Sequence, residues 1–297
     1  MLRINPIYKK ELKQNARMSK TALMLFFYNA LLAVFGLFAL FLIFNNNQKK
    51  GYHIDYSDIL KIYGIIIGVE YILVLVIIPA MTAGSISGER EKQTLEILLT
   101  TKVTTLQIVV GKLASSISMM ILLAFSSLPI VAVVFSIGGI TLIDLVEFMI
   151  SITVTAIFLG SIGIFFSALC KKTTAATVCS YMTVLFITGG LALLLIGADL
   201  LNAGQAYNLG LETINSGGNQ YGDIVLVLLI NPIFSFLSLL NRQTGIGSNM
   251  SVVWKAGNQI RYFIADHWVE CSYIVQIVIS VVLLVGASRL LRPKKVR

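Results

Sequence analysis

The stretch ALMLFFYNALLAVFGLFALFLIF, residues 22–44, carries no charged side chain and is apolar along almost its whole length. A helix needs about 20 such residues to cross the hydrocarbon core of a bilayer, which is about 30 Å thick. A barrel strand would alternate polar and apolar residues, and this stretch does not. It is also too long for a cleaved signal, and no small-residue cleavage site follows it. We therefore predict a membrane-spanning helix that anchors the chain.

The composition extends this interpretation to the whole sequence. With 57% hydrophobic and 12% charged residues and a mean hydropathy of +0.85, the 297 residues cannot cover a soluble core with polar side chains. We predict one all-α integral membrane domain over residues 1–297. Its apolar runs predict six spans, at 22–44, 62–84, 113–137, 145–169, 174–197 and 271–289.

A seventh apolar run, residues 224–240, is shorter and contains Asn231-Pro232 at its middle. Proline interrupts the helical hydrogen-bond ladder, and non-helical backbone at membrane depth needs protein or water around it. We expect a re-entrant or interfacial helical segment in the outer leaflet, within an outer region at 198–270.

The basic residues orient the spans, because Lys and Arg near span ends stay on the cytoplasmic side. With six crossings and the N-terminus inside, the cytoplasmic pieces hold 17 of the 23 basic residues. These pieces are 1–21, 85–112, 171–172 and 289–297. A seventh crossing at 224–240 would weaken the asymmetry, so six crossings with both termini in the cytoplasm are expected.

The N-terminal residues 1–21 predict an amphipathic interfacial helix, capped by Asn5 with Pro6 at its first position. Apolar and basic side chains alternate at helical spacing, which favours a helix lying flat among lipid headgroups. The alternative is that the charges only set topology. The candidate membrane-interface residues are Tyr8, Lys9, Leu12, Lys13 and Arg17.

Glu70 is an ionisable residue within a predicted span, in IIIGVEYILVLVIIPA. A carboxylate near mid-bilayer costs roughly 2.5 kcal/mol or more unless it is protonated, paired or in contact with water. Two interpretations have equal weight: an acid that lines a translocation path, or a hydrogen-bonded structural acid.

The charged stretch GSISGEREKQTLEILLTT, residues 84–101, interrupts the apolar half of the chain. Ser87 is a candidate N-cap, and we predict one short helix. On such a helix Glu89, Lys92 and Glu96 would share one face, while Leu95, Leu98 and Leu99 would share another. The helix would contact the bundle and a soluble partner, unless the stretch is only a solvated loop.

Prolines and small residues mark the spans. Pro79 and Pro129 interrupt the second and third spans and permit kinks. Gly160, Ser161 and Gly163 form a small-residue cluster at which we expect close helix packing.

The sequence lacks the motifs of an enzyme. It contains no G-x-x-x-x-G-K-[ST] phosphate cradle, no H-E-x-x-H, no G-x-S-x-G and no metal-spaced Cys/His cluster. We expect no metal, no bound cofactor, no nucleic-acid partner and no catalytic activity in this chain. Any nucleotide chemistry must come from another chain.

The run PAMTAGSISGEREKQTLEILLTTKVTTLQIVVGK, residues 79–112, resembles the signature of type 2 ATP-binding-cassette exporter permeases. The N-terminal NPIYKKEL at 5–12 is similar to the family's elbow-helix opening. Val103 departs from the pattern, since many relatives have proline after the Leu-Leu-Thr stretch. The residues that fill the signature are Gly88, Glu89, Arg90, Glu91, Thr94, Glu96, Leu98, Leu99, Gly111 and Lys112.

The resemblance implies that residues 85–112 are a cytoplasmic coupling segment docked on a separate ATPase subunit, which binds ATP and Mg. It also implies a second permease, identical or homologous, and substrate export across the plasma membrane. The candidate ATPase contacts are Glu89, Arg90, Glu91, Lys92, Thr94, Glu96, Leu98 and Leu99, with Leu95 facing the bundle.

Two other classes remain open at this point. An ion-coupled secondary carrier or channel would use Glu70 as its coupling group. A non-transporting scaffold or sensor would borrow the permease architecture.

Overall fold

The computed structural model describes residues 6–48, 56–100, 103–136, 140–191, 193, 222–245, 263–264 and 266–292. Every regular element within these ranges is helical, which confirms the predicted all-α class. The first eight α-helices are α1 (Pro6–Arg17), α2 (Ser19–Gln48), α3 (Tyr56–Ala83), α4 (Ser87–Glu91), α5 (Leu95–Leu99), α6 (Thr105–Ser136), α7 (Leu142–Leu169) and α8 (Thr173–Leu185).

The rest of the described chain contains two less common helix types. A π-helix, Phe186–Gly190, continues α8, and a 3₁₀ helix, Gly222–Ile230, comes after it in the chain. Two α-helices complete the described elements, α9 (Pro232–Thr244) and α10 (Trp268–Leu290).

Five helical stretches among the described residues are long and apolar enough to cross a membrane. They are Thr21–Leu42, Ile59–Glu91, Thr105–Ala132, Leu142–Leu169 and Trp268–Leu290. The predicted fifth span, 174–197, is described only in part: α8 ends at Leu185 and passes into the π-helix, and residues 194–197 lie outside the described ranges.

Helix α6 extends beyond the predicted third span at its N-terminal end. It begins at Thr105, so the last eight residues of the predicted coupling segment 85–112 are already helical. Lys112 lies on this membrane-length helix. Pro79 and Pro129 both lie inside helices, as predicted.

The chain divides into two compact units. The first comprises Met1–Ser180 and Ile279–Arg297, and the second comprises Tyr181–Val278. In the first unit α3 packs most extensively on α7, and α6 packs on both of them. Helix α1 lies against α6, while α2 contacts α3 and α6.

Small residues explain the close contact between α3 and α7. A Cβ on Gly163 would overlap the Thr82 side chain of α3, so the two helices approach closely here because this position lacks a Cβ. A Cβ on Gly160 would instead meet Leu113 of α6 at 2.6 Å. This agrees with the predicted packing role of the small-residue cluster.

The second unit is organised around Asn231, which is fully buried between the 3₁₀ helix and α9. Its side-chain oxygen accepts from Ile233 N and caps α9, and its amide nitrogen donates to Thr188 O in the π-helix over 2.9 Å. The run 224–240 is thus two helices broken at Asn231-Pro232. Leu228, Leu229 and Trp268 form the apolar core beside this break.

Candidate functional site

The segment between α3 and α6 contains two short helices and not the single helix predicted from the sequence. Helix α4 ends at Glu91 and α5 begins at Leu95. Between them Gln93 has φ 58°, a left-handed conformation that ends a helix. The predicted common helical face of Glu89, Lys92 and Glu96 is therefore wrong, because the helix is interrupted between Glu91 and Leu95 and Glu96 belongs to a different helix.

Ser87 does not cap α4 as predicted. Its hydroxyl donates to Ala83 O over 3.0 Å, and no side-chain cap is formed at Ile86. The start of α4 is instead held by Ser167 of α7, whose hydroxyl oxygen accepts from Ile86 N and Ser87 N, each over 2.9 Å. A side chain 80 residues away thus satisfies two amides that the helix leaves unpaired.

Replacing Ser167 by alanine should destabilise the protein by about 2 kcal/mol, because two buried amides lose their acceptor. Unfolding of the purified chain in mixed detergent micelles measures this loss. Ser161→Ala is the matched control, since Ser161 is also buried on α7 but bonds only to Phe158 O of its own helix. Equal effects of the two substitutions would show that Ser167 does not hold α4.

Lys112 of α6 forms ion pairs with α4 and with the N-terminal helix α1. Its ammonium nitrogen is 2.8 Å from Glu89 Oε1 and 3.0 Å from Glu11 Oε1. The lysine side chain is 4% exposed, whereas the two carboxylates are 30% and 25% exposed. A nearly buried cation is thus neutralised by acids from α1 and α4.

Arg90 binds the end of α7. Its two terminal nitrogens donate to Ala168 O and Cys170 O, over 3.1 and 2.9 Å. The last carbonyls of a helix lack partners within it, and they carry the negative end of the helix dipole. The guanidinium therefore ties α4 to the C-terminus of α7.

Glu91 binds the start of the next helix. Its carboxylate accepts from Thr173 N over 2.8 Å and lies 3.0 Å from the Thr173 hydroxyl. Negative charge is favourable at a helix N-terminus, where amides are unpaired. Together Arg90 and Glu91 attach α4 to both ends of the α7–α8 turn.

Helix α5 contributes an apolar contact to the same unit. Leu95 is buried in a cluster with Ile86 just before α4, Val109 of α6 and Leu291 near the end of the described chain, and Leu99 packs at its edge. This places Leu95 toward the bundle, as predicted.

Five exposed residues between the end of α4 and the middle of α5 form a surface that we call the tip: Lys92, Gln93, Thr94, Glu96 and Ile97. Ile97 is 68% exposed although it is apolar. The Thr94 hydroxyl donates to Glu89 O, which fixes the turn. Of the eight candidate contacts, Lys92, Thr94 and Glu96 lie in the tip, Leu98 and Leu99 are half-buried, and Glu89, Arg90 and Glu91 bond within the chain.

The candidate membrane-interface residues on α1 also include one that is bonded within the chain and several that are exposed. Tyr8 is half-buried and its hydroxyl lies 2.9 Å from Ser118 Oγ of α6. Lys9, Leu12 and Lys13 are exposed. Arg17 ends α1, and its side chain and the predicted cap Asn5 lie outside the described residues.

Glu70 is fully buried where α2, α3 and α6 meet. Tyr28 Oη of α2 donates to Glu70 Oε1 over 3.1 Å, and Ser127 Oγ of α6 lies 2.7 Å from the same oxygen. The carboxyl thus links three helices by hydrogen bonds. Its second oxygen has no hydrogen-bond partner among the described residues.

The family comparison covers nearly the whole chain. The family described as ABC-2 family transporter protein matches residues 6–294. The chain belongs to this ABC-2 transporter family. No curated protein matches it.

Membership confirms the resemblance found in the sequence. An ABC-2 chain is a membrane subunit for transport and is not itself catalytic, and the family associates with an ABC ATPase subunit. Together with five membrane-length helices, this makes the present ABC-2 chain a multi-pass membrane protein.

The sequence analysis does not single out several residues that the structure joins to this candidate segment. Lys112 appears there only within the signature, and Glu11, Ser167 and Thr173 do not appear as candidates. One signal was available: a lysine next to an apolar span needs a carboxylate partner, which points to nearby acids. Nothing in the pattern marked Ile97, because an isolated isoleucine is usually buried.

Proposed function

We propose that the chain is the transmembrane permease subunit of an ATP-driven ABC exporter. In this role it couples ATP hydrolysis by a separate ATPase subunit to substrate export. The observation that carries the proposal is the tip, an exposed surface on a segment from which Glu89, Arg90 and Glu91 are bonded to α6, to the end of α7 and to α8.

The attachment of α4 and α5 to the neighbouring helices suits the transmission of movement. A short helix held by an ion pair, by helix-end hydrogen bonds and by an apolar cluster moves together with the helices to which it is attached. A displacement of the tip by a partner therefore reaches the α7–α8 turn through Arg90 and Glu91 and reaches α6 through Lys112. A flexible loop would absorb the same displacement.

The roles of the candidate contacts follow from their burial. Lys92, Thr94, Glu96 and Ile97 would bind the ATPase directly, with Leu98 and Leu99 at the margin. Glu89, Arg90 and Glu91 would transmit the movement and contribute less to affinity. ATP and Mg would be held by the partner, since the sequence has no phosphate cradle of its own.

The proposed assembly contains two permeases, identical or homologous, and two ATPases in the plasma membrane. The tip, α1 and both termini would face the cytoplasm, in agreement with the concentration of basic residues at that side of the predicted topology. Exposed Lys9, Leu12 and Lys13 would place α1 among the inner headgroups.

Ile97→Asp tests the proposal. We expect the ATPase to bind this variant at least tenfold more weakly, because a charge replaces an exposed apolar anchor at the interface. The affinity is measured by titrating the purified ATPase onto the full chain in nanodiscs. Ile143→Asp is the matched control, because Ile143 is 71% exposed and lies at the N-terminal end of α7. The segment that carries Ile97 is attached to the other end of this helix, through Arg90.

Three results would contradict the proposal. One is equal affinity for both variants. Another is an ATPase activity that does not change when the permease is present. The third is substrate flux without ATP that is lost in Glu70→Gln, which would favour the ion-coupled carrier instead.

A further inference from the structure

A second surface of the first unit lies beside Arg90 and the end of α7. It is an open groove of about 540 Å³, lined by Arg90, Ala168, Leu169, Lys171 and Leu290. Two of these side chains are basic, three are apolar and none is acidic. The groove therefore combines an anion-attracting part with an apolar part.

The helices that form the groove indicate its depth relative to the membrane. Leu169 is the last residue of α7 and Leu290 is the last residue of α10, and both helices are long enough to span a bilayer. Their side chains are 51% and 46% exposed. Apolar side chains at the end of a span lie where lipid tails meet headgroups.

The two basic side chains of the groove, Arg90 and Lys171, have further N–H groups that can donate hydrogen bonds to a ligand. Arg90 uses two N–H groups on Ala168 O and Cys170 O, and a guanidinium has five. Lys171 is exposed and has no ion-pair partner among the described residues. Exposed Arg289 and Arg292 flank Leu290 in the sequence and add positive charge to this end of α10.

From this arrangement we infer that the groove binds an anionic phospholipid of the adjacent leaflet. The phosphate accepts hydrogen bonds from Arg90 and Lys171, and an acyl chain lies along Leu169 and Leu290. A lipid with net negative charge is favoured over a zwitterionic lipid because no acidic side chain in the groove offsets the two cations.

The position gives the lipid a specific effect. Since Arg90 also holds the end of α7, a phosphate at its free N–H groups strengthens the junction of α4 with the α7–α8 turn. This inference goes beyond the proposed function and does not require it, because lipid binding can be measured without an ATPase.

Native mass spectrometry of the full chain in detergent, with phosphatidylglycerol or phosphatidylcholine added, tests the inference. We expect retention of phosphatidylglycerol in preference to phosphatidylcholine, and about fivefold weaker binding of it by Lys171→Ala, the change expected for one basic side chain. Lys172→Ala is the matched control, because Lys172 is an exposed neighbour of equal charge that does not line the groove. Its affinity should stay within about twofold.

Other probes separate the lipid from alternative ligands. Leu290→Asn should weaken phosphatidylglycerol binding, since it removes an apolar contact from the groove. Equal loss in Lys171→Ala and Lys172→Ala, equal retention of both lipids, or displacement of phosphatidylglycerol by inorganic phosphate at equimolar concentration would overturn the inference. Displacement of the lipid by the purified ATPase, one molecule for one, would assign the groove to the protein partner and would also overturn it.

Discussion

The double variant Glu11→Gln/Glu89→Gln is expected to lose about 3–5 kcal/mol of unfolding free energy, whereas each single variant loses only about 1 kcal/mol. The reason is the burial of Lys112, whose side chain is 4% exposed. With one carboxylate left, the ammonium group keeps a counter-charge within 3.0 Å. With none left, a cation is buried without compensation.

Detergent unfolding of the parent, the two single variants and the double variant measures the coupling directly. Glutamine keeps the size and the hydrogen-bonding oxygen of glutamate, so the cycle isolates the charge. Glu11→Gln/Glu96→Gln is the matched double variant, because Glu96 is exposed in the tip and lies outside the Lys112 cluster. Its effects should add within about 0.5 kcal/mol. Additive behaviour of Glu11→Gln/Glu89→Gln would mean that Lys112 does not depend on the two acids.

Gly163→Ala is expected to destabilise the bundle by about 3 kcal/mol or more, the upper part of the range for overpacked cores. A methyl group at this position would overlap the Thr82 hydroxyl and lie 2.9 Å from Thr82 Cβ and 3.2 Å from Ala83 N. Rotation of the threonine side chain cannot move its Cβ or the backbone nitrogen. Helices α3 and α7, the most extensively packed pair, would have to separate.

Two further glycines provide a graded comparison for Gly163→Ala. At Gly160 the nearest atom is Leu113 Cδ1 at 2.6 Å, the end of a flexible side chain, so Gly160→Ala should cost less. At Gly68 on α3 nothing lies within 4 Å, and Gly68→Ala should be neutral or stabilise by up to about 1 kcal/mol through helix propensity. Unfolding in mixed micelles should rank the three variants in this order. A cost at Gly163 no larger than at Gly68 would contradict the close packing of α3 and α7.

The membrane class was predictable because it depends on composition and on the length of apolar runs. Long runs such as 22–44 and 145–169 correspond to α2 and α7, since a bilayer accepts few structures other than a continuous helix. The ends of the helices were less predictable. Helix α6 begins at Thr105, eight residues before the predicted span, because Thr104 and Gln107 cap its start, each side chain accepting from the other's backbone N–H.

The internal contacts of the candidate site could not be predicted for a different reason. The signature around Glu89, Arg90 and Glu91 marks the segment as a whole, but it does not distinguish charged residues that bind a partner from those that bind their own chain. Their contacts with Lys112, Cys170 and Thr173 depend on how α6, α7 and α8 pack. The break at Gln93 also lacked a signal, because neither glycine nor proline stands there.

The junction of α4 with α7 has a consequence for biosynthesis. Ile86 and Ser87 find their acceptor about 80 residues later in the chain, at Ser167. At a translation rate of about 5–20 residues per second, the ribosome adds that length in roughly 4–16 s. During this interval water must solvate the amides of the nascent α4. This end of the bundle therefore closes late, after the fourth described span has emerged, and a chaperone or protease that reaches the segment before then would encounter it in its open form.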